Sequence, residues 1–258
     1  MNKYTADFET ATWLENETYV WAWAVSEIGN PDNIIIGEDI ESFIDWCIKN
    51  HNSTLYFHNL KFDGEFIISY LFNNDYEYIK DRKEKKDKSF TTLISDMGLF
   101  YSIEIFFTVK GKNTKKITII DSLKILNMSV SEVAKSFGLP ISKLELDYNT
   151  PRPRGYKLKD YEKDYITNDV KIMSLALDVL FKQNMTYMTA ASDGIHEFKR
   201  TLSIRRFERM FPKLNYDVWK DMKQAYRGGF TYLNPIYKEK DVMNGVVLDV
   251  NSLRYILV

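Results

Sequence analysis

An α/β fold is what this chain predicts, on three observations. Stretches rich in β-branched and aromatic residues recur from the amino terminus, runs with apolar residues at helical spacing separate them, and turn residues mark the junctions. The 258 residues are 45% hydrophobic and 15% aromatic, enough for one sizeable core and a second, smaller unit. The first strand is Tyr4 to Thr10, YTADFET. Its period of two turns Asp7 and Glu9 to one face and Phe8 to the other, toward a core. Thr18 to Val25, TYVWAWAV, is a second strand, and Asn33 to Ile36 a short third after the turn Gly29-Asn30-Pro31. Ile40 to Lys49 has a helical apolar pattern behind an acidic start. Thr54 to His58 returns as a strand, and Phe62 to Phe72 as a helix through Phe62, Phe66, Ile67, Tyr70 and Leu71.

The run Asp81 to Lys88 has mixed charge and no periodicity and is expected to be a solvated loop. Thr91 to Asp96, Phe100 to Val109 and Ile117 to Asp121 are strands, the last two joined by a basic hairpin tip, Lys110 to Lys116. Ser129 to Phe137 is a short helix stopped by Gly138 and Pro140. Thr150 to Gly155, TPRPRG, is an extended connector, and Leu158 to Phe181 a long helix. There is no internal repeat.

Lys and Arg number 35 against 36 Asp and Glu, a formal charge of -1, so net charge does not announce a nucleic-acid partner. Cys47 is the only cysteine. It sits in the apolar run FIDWCI, which places it in a buried helix and the chain in a reducing compartment. No apolar run approaches the roughly 20 residues that span a bilayer, and the amino terminus lacks a signal peptide's apolar core, so no membrane partner is expected and the chain is expected to be soluble and intracellular.

Three acidic constellations stand out. Asp7 and Glu9 are like charges side by side on a strand, which a divalent cation would relieve, though such a pair alone is more often a solvated edge. In NLKFD, Asp63 falls at a strand-to-helix junction and is equally explained as a helix N-cap or first-turn residue. In YITND, Tyr165 and Asp169 share a helix face. In this order and on these elements, they resemble the three motifs of the DEDD exonuclease superfamily with a tyrosine in the third. HNLKFDG, Ser122-Leu123, MTAASD, YRGGFT and VLDVNSL extend the likeness along the whole chain, which resembles the beginning of the protein-primed family B DNA polymerases of small linear-genome bacteriophages.

That resemblance implies a ribonuclease H-like 3′-5′ exonuclease fold, a central mixed sheet flanked by helices, over residues 1–187. The start of a polymerase palm would follow over residues 188–258. It implies that Asp7, Glu9, Asp63 and Asp169 hold two Mg²⁺ or Mn²⁺ ions about 3.5–4 Å apart, one generating the nucleophile and one stabilising the leaving 3′ oxygen. Tyr165 would orient the attacking water, and Lys143 would assist. Thr10, Tyr56, His58, Asn59, Phe62, Phe66, Ser122 and Leu123 fall where the family contacts a single-stranded 3′ end. Tyr56 and Phe66 are as well explained by the core, and His58 as a satisfied buried imidazole. Tyr226, Gly228 and Gly229 match an element that approaches the template strand of primer-template DNA, or form an ordinary glycine turn. Asp249 matches the first polymerase metal carboxylate. The motif there departs from the family at Arg254, and the chain stops at Val258 without a second catalytic aspartate, so no primer extension is expected.

The partners implied are a single-stranded 3′ end, primer-template DNA and a terminal protein, in a host cytoplasm. Self-association through Gly245 to Val258, whose apolar strand would lack neighbours, is also expected. Two other readings stay open. One is a non-catalytic DNA- or terminal-protein-binding module, for which the run Glu197 to Lys213 offers six basic against two acidic residues, a run equally explained as a solvated helix face. The other is an inert relic of a truncated polymerase.

Overall fold

The computed structural model describes residues 2–14, 17–111, 113–225 and 234–241. Tyr226, Gly228, Gly229, Asp249 and the tail expected to self-associate lie outside them. The chain divides into two compact units, Met1–Leu202 and Ser203–Val258.

The first unit is built on one mixed sheet of eight strands: β1 (Lys3–Thr10), β2 (Val20–Glu27), β3 (Asn30–Gly37), β4 (Thr54–Phe57), β5 (Glu77–Tyr78), β6 (Ser89–Ile94), β7 (Phe100–Lys110) and β8 (Asn113–Asp121). Their spatial order is β3-β2-β1-β4-β8-β7-β6-β5. β1, β4 and β8 run parallel at its centre, and antiparallel partners extend it to β3 on one side and to β6 on the other; β5 joins the far edge in parallel with β6.

The helices cover both faces. On one, α1 (Ile40–Lys49) and α2 (Leu60–Asn73) bury Phe43, Trp46, Ile67 and Leu71 against Phe8, Trp23, Phe57 and Ile105. On the other, α3 (Val130–Ser136) and α4 (Asp160–Lys182) pack Val133, Ile172, Met173 and Leu177 over Tyr56, while Ile166 and Val170 lie on Ala22 and Ala24. The unit ends in α5 (Ala190–Leu202). In the second unit, α6 (Ile204–Met210) and α7 (Tyr216–Ala225) are described.

Several boundaries differ from the sequence reading, for physical reasons. β3 starts at Asn30 and runs through Pro31, because it is an edge strand and an edge tolerates a missing N–H. The basic hairpin tip is mostly ladder: Asn113, Thr114, Lys115 and Lys116 pair with Lys110, Val109, Thr108 and Phe106. The charged run 81–88 has one 3₁₀ turn, Arg82–Glu84, with Arg82 held by Glu104. α2 begins at Leu60 rather than Phe62, because Asn59 adopts the left-handed conformation (φ 74°) that lets β4 pass directly into a helix.

Candidate active site

Asp7 and Glu9 stand near the carboxyl end of β1, beyond Ala6, the last residue that pairs with parallel β4. Ligand sites in open α/β sheets form outside the carboxyl ends of parallel strands, where neighbouring chains part. Across the antiparallel side, Asp7 faces Ala24 and Glu9 faces Ala22, small partners on which Ile166 and Val170 of α4 pack. The ladder shifts register between Glu9 and Thr10, which is buried at the strand's end.

α2 and α4 carry the other two carboxylates, near enough for their charges to act on those of β1. Asp63, in the first turn of α2, is 3% exposed, and its Oδ1 is buried without a hydrogen-bond partner. The cap function open to it in the sequence is filled from elsewhere. Asp121, at the end of β8, accepts through Oδ1 the backbone N–H groups of Asn59 (3.1 Å), Leu60 (3.3 Å) and Leu123 (3.0 Å). Asp169 of α4 receives Lys143 Nζ at 2.8 Å, and its Oδ1 is likewise orphaned. One turn earlier, the buried Tyr165 hydroxyl meets that of Tyr148 at 2.7 Å.

The electrostatics record this crowding. Burial, then the charges of Asp169 and Asp7 respectively, push Asp7 up to about 7 and Glu9 up to about 9. Burial and then Asp7 hold Asp63 well above the carboxylate range. Burial also raises Asp169, against the opposing pull of Lys143. Burial lowers Lys143, but its bond to Asp169 and the neighbouring carboxylates outweigh this and hold it charged. Tyr165 is raised far above an ordinary phenol, first by burial and then by its bond to Tyr148.

Asp7, His58, Lys143 and Asp169 line one cleft. Among the described residues no three His, Cys, Asp or Glu side chains form a ready-made cage for an ion. The donor set nevertheless suits a hard divalent cation such as Mg²⁺, which takes one or two carboxylates and completes its shell with water and phosphate oxygens. Orphaned buried oxygens on Asp63 and Asp169 are what such an ion would satisfy.

The remaining residues divide. Asn59 is exposed, and its side chain makes no cap bond. Phe62 is 50% exposed and meets the half-buried Phe66 edge-on at 5.7 Å; Phe66 lines a second cleft with Tyr19, Tyr70 and Arg154. Leu123 is half-buried on the turn after β8. Tyr56 is 4% exposed, inside the apolar cluster beneath α4, against Phe181. Its core explanation matches this placement, and a DNA base has no access to the ring there. His58 matches the satisfied imidazole: Nε2 donates to the Met128 carbonyl at 2.7 Å, and Nδ1 meets Ser122 Oγ at 3.1 Å. The buried Ser122 hydroxyl also reaches the Phe57 carbonyl, so it braces the junction after β4. Sequence reasoning missed Tyr148, Asp121 and Arg152, whose partners lie far along the chain; only the length of the unpatterned stretch before α4 hinted at a functional segment.

The DNA polymerase of Bacillus phage M2 is 44% identical over 250 residues, covering 97% of this chain and 43% of that protein. The enzyme of Bacillus phage phi29 is 42% identical with the same shares, and that of Streptococcus phage Cp-1 is 33% identical over 268 residues. The chain thus spans less than half the length of the curated relatives it matches. A solved structure of phi29 DNA polymerase complexed with single-stranded DNA superposes with a TM-score of 0.82 at 39% identity, over 93% of this chain and 42% of that one. Over residues 44–152 and 145–254 the sequence matches the family described as DNA polymerase type B, organellar and viral, and the chain belongs to that family.

Proposed function

We propose that this chain is a two-metal 3′-5′ exonuclease acting on single-stranded DNA ends, the proofreading part of a type B polymerase. The observation that carries the reading is the mutual repulsion of the half-buried Asp7 and the buried Glu9, Asp63 and Asp169, past the last β4-paired residue of β1, with two oxygens left without partners. The solved phi29 complex with single-stranded DNA supports the substrate class, and the primer-template complexes support a duplex partner.

Two Mg²⁺ or Mn²⁺ ions, when bound, supply a nucleophile at neutral pH and neutralise charge on the phosphate oxygens. The chain's own groups do the rest. Tyr165 stays protonated, and with one proton shared along its contact with Tyr148 the pair keeps a second hydroxyl proton to orient a water. Lys143 stays charged, which holds Asp169 and offers a cation to the scissile phosphate. Asn59 offers a free amide and Phe62 an open ring face on which a terminal base can stack.

Digestion of a 3′-labelled single-stranded oligonucleotide with Mg²⁺ or Mn²⁺ tests this. Asp7→Ala/Glu9→Ala should abolish it, and unchanged digestion by that folded variant overturns the assignment. A DNA-binding module without catalysis would instead bind the oligonucleotide and leave it intact. We further propose the division into residues 1–187 for the nuclease and 188–258 for the start of the palm.

A further inference from the structure

Between α3 and α4, residues 137–159 contain no helix or strand, yet they deliver Lys143 to Asp169 and Tyr148 to Tyr165. An irregular stretch of about twenty residues holds a geometry only if side chains fix its backbone groups. Arg152 does this. It is 1% exposed, and its Nε donates at 2.6 Å to Oε1 of Glu162, which is also 1% exposed. Its Nη1 donates to the carbonyls of Asp147 (2.9 Å) and Thr150 (3.0 Å), the former immediately before Tyr148. The guanidinium lies 4.6 Å from the Trp21 ring centroid on β2, and the Tyr19 hydroxyl donates to the Arg152 carbonyl at 3.1 Å.

One side chain therefore ties the strap to the sheet and to α4. Glu162 completes the tie by accepting the Lys159 N–H at 2.9 Å, which sets the start of α4. Positions 162, 165 and 169 share a helix face, so Arg152 grips α4 one turn before Tyr165.

We propose that Arg152 and Glu162 are a positioning pair, a clasp that holds the strap so that Lys143 and Tyr148 meet Asp169 and Tyr165 in register. The inference rests on the exonuclease reading for its catalytic consequence. A clasp and a merely structural pair are separable, because a buried ion pair replaced on both sides by apolar groups often leaves stability intact, whereas removing one partner strands a charge.

The test uses the full chain carrying Arg152→Met/Glu162→Leu, with Arg152→Lys as the conservative variant. Melting midpoint, amide hydrogen exchange at residues 142–150, and kcat and KM on a single-stranded oligonucleotide are compared with the parent. The double variant should melt near the parent, exchange at 142–150 about tenfold faster or more, and lose about 10- to 100-fold in kcat with KM within about threefold. Arg152→Lys should recover part of the kcat. Unchanged exchange and kcat in the folded double variant overturn the clasp, as does a kcat loss that only tracks the unfolded fraction. If the double variant does not fold, faster exchange confined to 142–150 in Arg152→Lys supports the clasp, and uniformly faster exchange overturns it. A parent that digests nothing sinks the exonuclease reading instead, and the exchange data still decide the clasp.

Discussion

Charge state at Asp7 and Glu9 sets how the metal-free protein responds to pH. A carboxyl whose pKa is raised by folding stabilises the folded state only while protonated; that contribution is complete below the ordinary carboxylate range and is lost as pH rises through the folded value. With Asp7 at about 7 and Glu9 at about 9, stability in EDTA should fall from about pH 4, where the unfolded carboxyls ionise, to about pH 9. Metal ligation needs the deprotonated forms, so Mg²⁺ or Mn²⁺ should raise the midpoint most at the alkaline end. Thermal melts across pH, with and without metal, check this, and a midpoint that rose with pH in EDTA would contradict it. Tyr165→Phe removes a positioning hydroxyl but no carboxylate, so it should slow cleavage about 10- to 1000-fold and spare metal affinity. Asp169→Ala should lower both. Equal loss of metal binding in the two variants, measured by calorimetry, would remove the role given to the phenol. The carboxylates and Tyr165 lie at fixed offsets within one strand or helix, but each pattern alone is commonplace, and only their joint order, through the family resemblance, marked them as a candidate site. Arg152, in a proline-rich connector, carries no local sign of its partner ten positions on, and only the tertiary fold makes them a pair.

At the scale of elements, α2 depends on a cap that its own sequence does not contain. Asn59 spends its conformation on the tight exit from β4, and Asp121 satisfies the first N–H groups from the neighbouring strand. Asp121→Ala leaves the buried Leu60 N–H and the half-buried Asn59 N–H without this acceptor and should cost about 2–4 kcal/mol, read from urea unfolding. Deletion of a mere surface contact would cost far less, so a loss under about 0.5 kcal/mol would show that the cap is dispensable. The strands and helices that read clearly are those with a buried face of regular period, such as Ile40–Lys49 and Phe100–Lys110. β5 escaped because its two residues are a strand only through pairing with Ser89 and Phe90. α5, α6 and α7 escaped because their apolar positions alternate with charges and leave Phe198, Met210 and Trp219 about half exposed, which blurs the helical stripe.

At the scale of the molecule, every described residue of the candidate site lies in the unit Met1–Leu202. A chain ending at Leu202 should therefore keep metal-dependent digestion within about threefold of the full chain, the spread expected for independent sites. A folded but inactive truncation would assign the second unit a part in the chemistry. The order of the strands carries a consequence in time. β1 is the first strand made, but the parallel partner that flanks it comes only at Thr54–Phe57, and β8 and α4 come later still. Pairings so distant in sequence are slow and form late. During synthesis the carboxylates of β1 therefore wait for their last acidic partner until Asp169 has left the ribosome, so the four cannot gather around an ion while the chain is still growing through β8.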